Sequence, residues 1–163
     1  FIMFDEKFVT FTEGNGLLNL VNSPIIVHHA DFPGIHIAAR NLSEDFSRVT
    51  KGSASPLKIW TDQNKTEIFD GKCQTAIIVG SVTQSPLIQS LERDGKVDLS
   101  GIRGKWESYV TAVVEEPFEG CKRALAIAGS DKRGAIFGVY GLSEQIGVSP
   151  YVLFPILLLD SQQ

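Results

Sequence analysis

The spacing of apolar and polar positions changes several times along the chain, and each change marks an element. Residues 8–12, FVTFT, alternate and predict a half-buried first strand. Gly14-Asn15-Gly16 is a turn, and residues 17–21 read as a short strand. PIIVHH at 24–29 is rich in β-branched residues and predicts another strand. Asp31, read as a cap, and Pro33 then mark a helix start. Ile35, Ala38, Ala39, Leu42, Phe46 and Val49 recur at helical spacing and give that helix one apolar face. Lys51-Gly52 ends it, and residues 57–60 form a short strand after a small loop. TAIIVGSV at 75–82 is apolar almost throughout, as a strand buried on both faces must be. Ser85-Pro86 opens a second helix through Arg93, with Leu87 and Leu91 facing inward. Residues 106–114 alternate as a strand. Residues 115–122, with Pro117 and Gly120, read as a loop that returns the chain into the apolar run 124–128 as a hairpin.

The stretch 123–150, RALAIAGSDKRGAIFGVYGLSEQIGVSP, organises the rest. Ser130 and Asp131 are good N-cap residues after a buried strand, so a helix is predicted from there to about Ile146, with Gly147 as its stop. Ile136, Val139, Tyr140, Ser143 and Ile146 form one stripe on it. Gly134, Gly138 and Gly141 form a second. An internal glycine costs a helix about 1 kcal/mol relative to alanine, so three on one face predict a close-passing backbone. The order ββαββαββα then describes one α/β domain, a mixed sheet with about three helices packed on it. The domain is expected to span residues 1–150. Residues 152–159 are apolar, interrupted by Pro155, and show neither helical nor strand period, so 151–163 is expected to be an apolar tail outside the domain. That run is far shorter than the roughly 18 residues a membrane-spanning helix requires, and no membrane partner is expected.

Charge and composition narrow the chemistry. A net charge of −4 and only two basic doublets, Lys122-Arg123 and Lys132-Arg133, exclude the concentrated positive face that nucleic acid needs. His28 and His29 are strand neighbours and point to opposite faces, His36 lies apart, and no clustered Cys–His spacing occurs, so no metal is expected. The turn at 129–134 follows a strand and opens a helix, the setting of an anion site, but it matches neither the Walker A nor the dinucleotide pattern, and no cofactor is expected. Two readings of Ser130, Asp131, Lys132 and Arg133 remain open. Either Ser130 or Asp131 caps the helix while Arg133 pairs with a carboxylate, or the loop faces a substrate or a neighbouring domain. A glycosidase works with two carboxylates about 5 Å or about 6.5–9.5 Å apart. Asp31, Glu44, Asp45, Glu115, Glu116, Asp131 and Glu144 each have a plainer role as cap, loop rim or solvated helix face. Cys73 and Cys121 are either one disulfide or two separate thiols. Asn41 and Asn64 stand in N-x-S/T sequons, a weak vote for secretion, and the N-terminal FIMFDEKF shows no signal-peptide pattern.

The block GSDKRGAIFGVYGLSEQIGVSP at 129–150 resembles the end of the N-terminal domain of xylan α-1,2-glucuronidases, glycoside hydrolase family 115. DFPGIHIAARNLSEDFSRVTKG at 31–52 and IRGKWESYVTAVVEEP at 102–117 are similar to two further family blocks. The resemblance implies an N-terminal α/β domain that packs against a catalytic barrel, in a secreted enzyme that removes 4-O-methyl-glucuronic acid side chains from xylan. Its implied partners are that barrel and, for the intact enzyme, xylan-derived polysaccharide. The family carries its acid and base on the barrel, so no catalytic residue maps onto this chain, which by itself is expected to be inactive. Past Pro150 the family continues with an aromatic-rich segment into the barrel, whereas this chain reads YVLFPILLLDSQQ. The alternatives are a stand-alone module binding a small anion at 129–134, or a protein-interaction domain.

Overall fold

Ile25–His28 (β3) is buried along its whole length, and the sheet grows outward from it. A computed structural model describes residues 9–10, 17–20, 22–50, 55–61, 73–146 and 158–160. Within these, Leu57–Trp60 (β4), β3, Cys73–Ser81 (β5) and Cys121–Gly129 (β7) lie parallel, and Tyr109–Phe118 (β6) adds antiparallel at one edge, in the order β4-β3-β5-β7-β6. Alternate residues of the central strands enter opposite layers. Val27, Val79 and Ile127 pack under two helices, Pro33–Val49 (α1) and Lys132–Gln145 (α3). Ile26, Ile78 and Ala126 pack under Pro86–Arg93 (α2) and the buried Val97, Leu99 and Ile102. Burial on both faces explains why these strands read as unbroken apolar runs. The result is the expected α/β class with a mixed sheet and three helices among the described residues.

The apolar face predicted for α1 is buried as expected, from Ile35 to Val49. Other expectations are corrected. Residues 115–122 are not a loop: β6 continues to Phe118 and β7 begins at Cys121, with a register shift between Glu115 and Phe118 and Glu116 at φ 46°. The bulge accommodates Pro117, which has no N–H for the ladder. Trp106 lies outside the strand, which starts at Tyr109. On α3, Ala135 and Leu142 join Val139, Ser143 and Ile146 in the core, whereas Ile136 is half-buried and Tyr140 is exposed. Asp31 is not the cap of α1. Phe32 holds that position, with no side-chain hydrogen bond to the helix.

A second, three-stranded sheet is formed by Val9–Thr10 (β1), Leu158–Asp160 (β8) and Leu17–Asn19 (β2), with β8 in the middle. Val9 and Leu18 both pair with Leu159. Part of the segment with no strand period is therefore a strand. Leu18 and Leu20 carry this region into the core under α1 and α3.

Candidate functional site

The helix after β3 lies on one face of the sheet and the helix after β5 on the other, so the connections leaving these adjacent strands diverge. In open α/β sheets the crevice at such a point is where ligands bind. Here protein fills it. The buried Asp31 carboxylate accepts from the Ser81 amide at 2.8 Å, the Ser81 hydroxyl at 2.7 Å and the Phe32 amide at 2.9 Å. Ser81 Oγ accepts in turn from the Gln84 amide at 3.1 Å. Beside it, His28 is buried, its Nδ1 accepts from the Ala30 amide at 3.1 Å, and its ring stacks on His29 with centroids 4.7 Å apart. Among the described residues no group of His, Cys, Asp or Glu is arranged to hold a metal ion.

At the end of β7 the turn at 129–134 locks a second loop in place. Asp131 Oδ1 accepts from the Gly134 amide at 2.7 Å, a helix cap, and Oδ2 accepts from the Glu107 amide at 3.0 Å. Ser130 N–H donates to Ser108 O at 2.7 Å, and Ser108 N–H donates back to Ser130 Oγ at 3.0 Å. Arg133 pairs with Glu107 at 2.8 Å. A Cβ on Gly134 would lie 2.1 Å from Ser108 O, so this glycine does admit another backbone. Gly138 instead faces side chains, with its missing Cβ 2.6 Å from Ile127 Cγ2 and 3.1 Å from the Tyr109 ring. Gly141 is half-buried. The first helical turn is thus occupied by the Asp131 carboxylate, with Arg133 paired beside it. Lys132 is exposed, its stem lying near Gly34 at the start of α1.

That locked loop presents Trp106 to solvent. Trp106 is 87% exposed, and Ile37, Phe137 and Tyr140 are 56%, 42% and 45% exposed. These large exposed apolar side chains lie along one connected path. Arg133, paired with Glu107 next to Trp106, sits 6.0 Å over the Phe137 ring. Tyr140 follows Phe137 one turn along α3 and accepts from Asn41 Nδ2 at 3.4 Å, and Ile37 lies one turn before Asn41 on α1. Spacing along the sequence hides this strip, because Trp106 alternates like a strand residue and Tyr140 falls on the stripe with Val139 and Ile146. Gly104, at φ 77°, was the available sign that the chain turns before Trp106.

The remaining predicted residues scatter. Glu115 pairs with Arg123 and Asp45 with Arg48. Asp94, Glu116 and Glu119, together with Lys96 and Lys122, line a cavity of about 580 Å³ whose wall also holds Cys73 and Cys121, and all three carboxylates are exposed. Cys73 and Cys121 start neighbouring strands as two thiols 3.2 Å apart. Contact with Cys73, and then burial, push the Cys121 thiol well above the ordinary range. Asn41 is half-buried in α1, and Asn64 lies outside the described residues. No helix among the described residues is long and apolar enough to cross a membrane.

Comparison of the whole fold identifies relatives. Neither a protein-family model nor a curated protein matches the sequence. Among solved structures, the chain is similar to a family GH115 4-O-methyl-α-glucuronidase with specificity for decorated arabinogalactans, at 27% identity and a TM-score of 0.57. The match covers 84% of this chain and 15% of that enzyme. A second solved structure, of the protein CpGH84D, matches 98% of this chain and 23% of its own at 12% identity and a TM-score of 0.54, a likeness of fold alone. The chain therefore has a GH115-like α/β domain and spans a small part of the glycoside hydrolase it resembles.

Proposed function

We propose that this chain is a non-catalytic, N-terminal-type α/β domain of a secreted α-glucuronidase, and that it packs through the strip at Ile37, Trp106, Phe137 and Tyr140 against the catalytic part of that enzyme. The intact enzyme would remove 4-O-methyl-glucuronic acid from a plant polysaccharide, with glucuronoxylan as the substrate implied by the sequence blocks. Kinship is supported by the 27% identity over 84% of the chain, aligned with only 15% of a GH115 enzyme. The observation that carries the packing role is the strip itself. Large apolar side chains exposed in one neighbourhood, here interleaved with the Arg133–Glu107 pair and Asn41, favour a face that a partner covers. Here it is also held rigid. Asp131, Ser130 and Arg133 spend their polar groups fixing the loop that displays Trp106. In this reading Ser130, Asp131, Lys132 and Arg133 face the barrel by supporting its neighbour and not by touching sugar.

The strip is tested on the isolated chain by sedimentation velocity over a concentration series. With its partner surface bare, the chain self-associates, and the double substitution Trp106→Ser with Phe137→Ser returns it to monomer without lowering its thermal midpoint. A chain that stays monomeric at every concentration, or that associates equally well with both residues replaced, overturns the packing role.

A further inference from the structure

Cys73 and Cys121 are the first residues of β5 and β7, and they are direct partners in the parallel register. Adjacent strands lie roughly 4.7–4.9 Å apart, inside the roughly 4.4–6.8 Å Cα separation that a disulfide spans. Both side chains point into the layer under α2, where Cys121 belongs to the core and Cys73 packs on it half-exposed. The two sulfurs are already 3.2 Å apart. Each thiol also aims at a carbonyl two residues on, Cys73 at Thr75 O, 3.4 Å away, and Cys121 at Arg123 O, 3.2 Å away. Both sulfurs are thus held by their own strands and come together without any loop having to close.

We propose that Cys73 and Cys121 are a redox pair that closes to a disulfide by exchange with a small external disulfide of the glutathione class. Cys73 is the entry point because it is half-exposed beside the cavity, whereas Cys121 is buried. The Cys73 thiolate attacks the external disulfide, forming a mixed disulfide and expelling one small thiolate. Cys121 then loses its proton, and its sulfur attacks the Cys73 sulfur, expelling the second small thiolate. The two protons released by the protein end on the two small thiols, so one external disulfide is reduced as one protein disulfide forms. The bond ties β5 to β7 at the start of both strands, the end away from the loop that displays Trp106. It would persist in an oxidising compartment and be opened in a reducing one.

The test is intact-mass measurement and thermal melting of the whole chain after incubation with oxidised and then reduced glutathione. The oxidised chain is expected to lose two hydrogens in mass, to carry no glutathione, and to melt about 5–15 °C higher than the reduced chain. Reduced glutathione should reverse both changes. Cys73→Ser should abolish the mass change and the shift, whereas Cys121→Ala should stop at a glutathione adduct on Cys73 with no closed bond. The mass result needs no variant, so a substitution that fails to fold leaves the test intact. An unchanged mass, a stable glutathione adduct that does not close, or a closed bond with no rise in midpoint would overturn the proposal.

Discussion

Asp31 holds both the amide and the hydroxyl of Ser81, at 2.8 Å and 2.7 Å, across fifty positions of sequence. The contact joins the ends of β3 and β5 where their helices part to opposite faces. A buried carboxylate with three donors substitutes for the ligand that this crevice holds in other open α/β sheets. Replacing Asp31 by alanine strands a buried amide and a hydroxyl, at a cost of about 2–4 kcal/mol. Ser81→Ala removes the hydroxyl alone and should cost about 1–2 kcal/mol. Urea denaturation of both variants checks the order. Equal costs would mean that the amide contact contributes nothing.

The glycines of α3 differ in what they face. At Gly134 a side chain meets the Ser108 carbonyl, which cannot rotate away, so Gly134→Ala must displace the loop at 106–108. Gly138→Leu meets Ile127 and Tyr109, which can adjust, and should cost about 1–3 kcal/mol by overpacking. The alanine variant is expected to lose at least as much and to alter Trp106 emission, whereas the leucine variant should leave that emission unchanged. Chemical denaturation followed by fluorescence separates the two. An unchanged or raised midpoint in the leucine variant contradicts the packing described for Gly138.

Much of the fold was legible because its signals were local. The periodic face of α1 and the apolar run of β5 state their own burial. Asp31 was misread because an acidic residue before Pro33 has the pattern of a cap, and only the register of β3 against β5 brings Ser81 to it. The hairpin is as expected, but its loop is shorter than residues 115–122, because the bulge that absorbs Pro117 is a property of the strand pair. Trp106 was misread for the same reason. Its alternation with later residues is real, but at Ser108 the amide donates to the Ser130 hydroxyl oxygen in place of a ladder carbonyl, and the strand starts only at Tyr109. Tyr140 fits a helical stripe by spacing, yet it lies at the exposed rim of the α1–α3 contact, where its hydroxyl meets Asn41. The thiol pair was visible as two cysteines, while their adjacency required the register.

The Cys121 thiol gives a pH signature. Its folded-state affinity for the proton is raised, first by Cys73 and then by burial. The folded state therefore binds this proton more tightly than the unfolded chain does. The contribution to stability is fully present below the ordinary value of 9.0 and is lost as pH rises beyond it. The reduced chain should lose stability above about pH 9, and Cys121→Ala should remove that part of the loss. Iodoacetamide at pH 8 should label Cys73 about tenfold faster than Cys121 or more. Equal labelling rates would contradict the assignment.

Deleting residues 151–163 removes β8 and leaves β1 and β2 without the strand between them. We expect the three-stranded sheet to be lost while the five-stranded sheet survives, consistent with a domain boundary near residue 150. Hydrogen exchange reads this directly. Amides of 17–19 should become fast and those of β5 and β7 should stay slow. Global loss of protection would place β8 inside the domain.

We propose that the residues performing the hydrolysis lie outside this chain. The most direct measurement incubates the purified chain with glucuronoxylan, aldouronic oligosaccharides and a decorated arabinogalactan, and assays free 4-O-methyl-glucuronic acid. No release above the blank is expected from any of the three. Release above the blank that disappears when a carboxylate of this chain, such as Glu116 or Glu119, is replaced would contradict it.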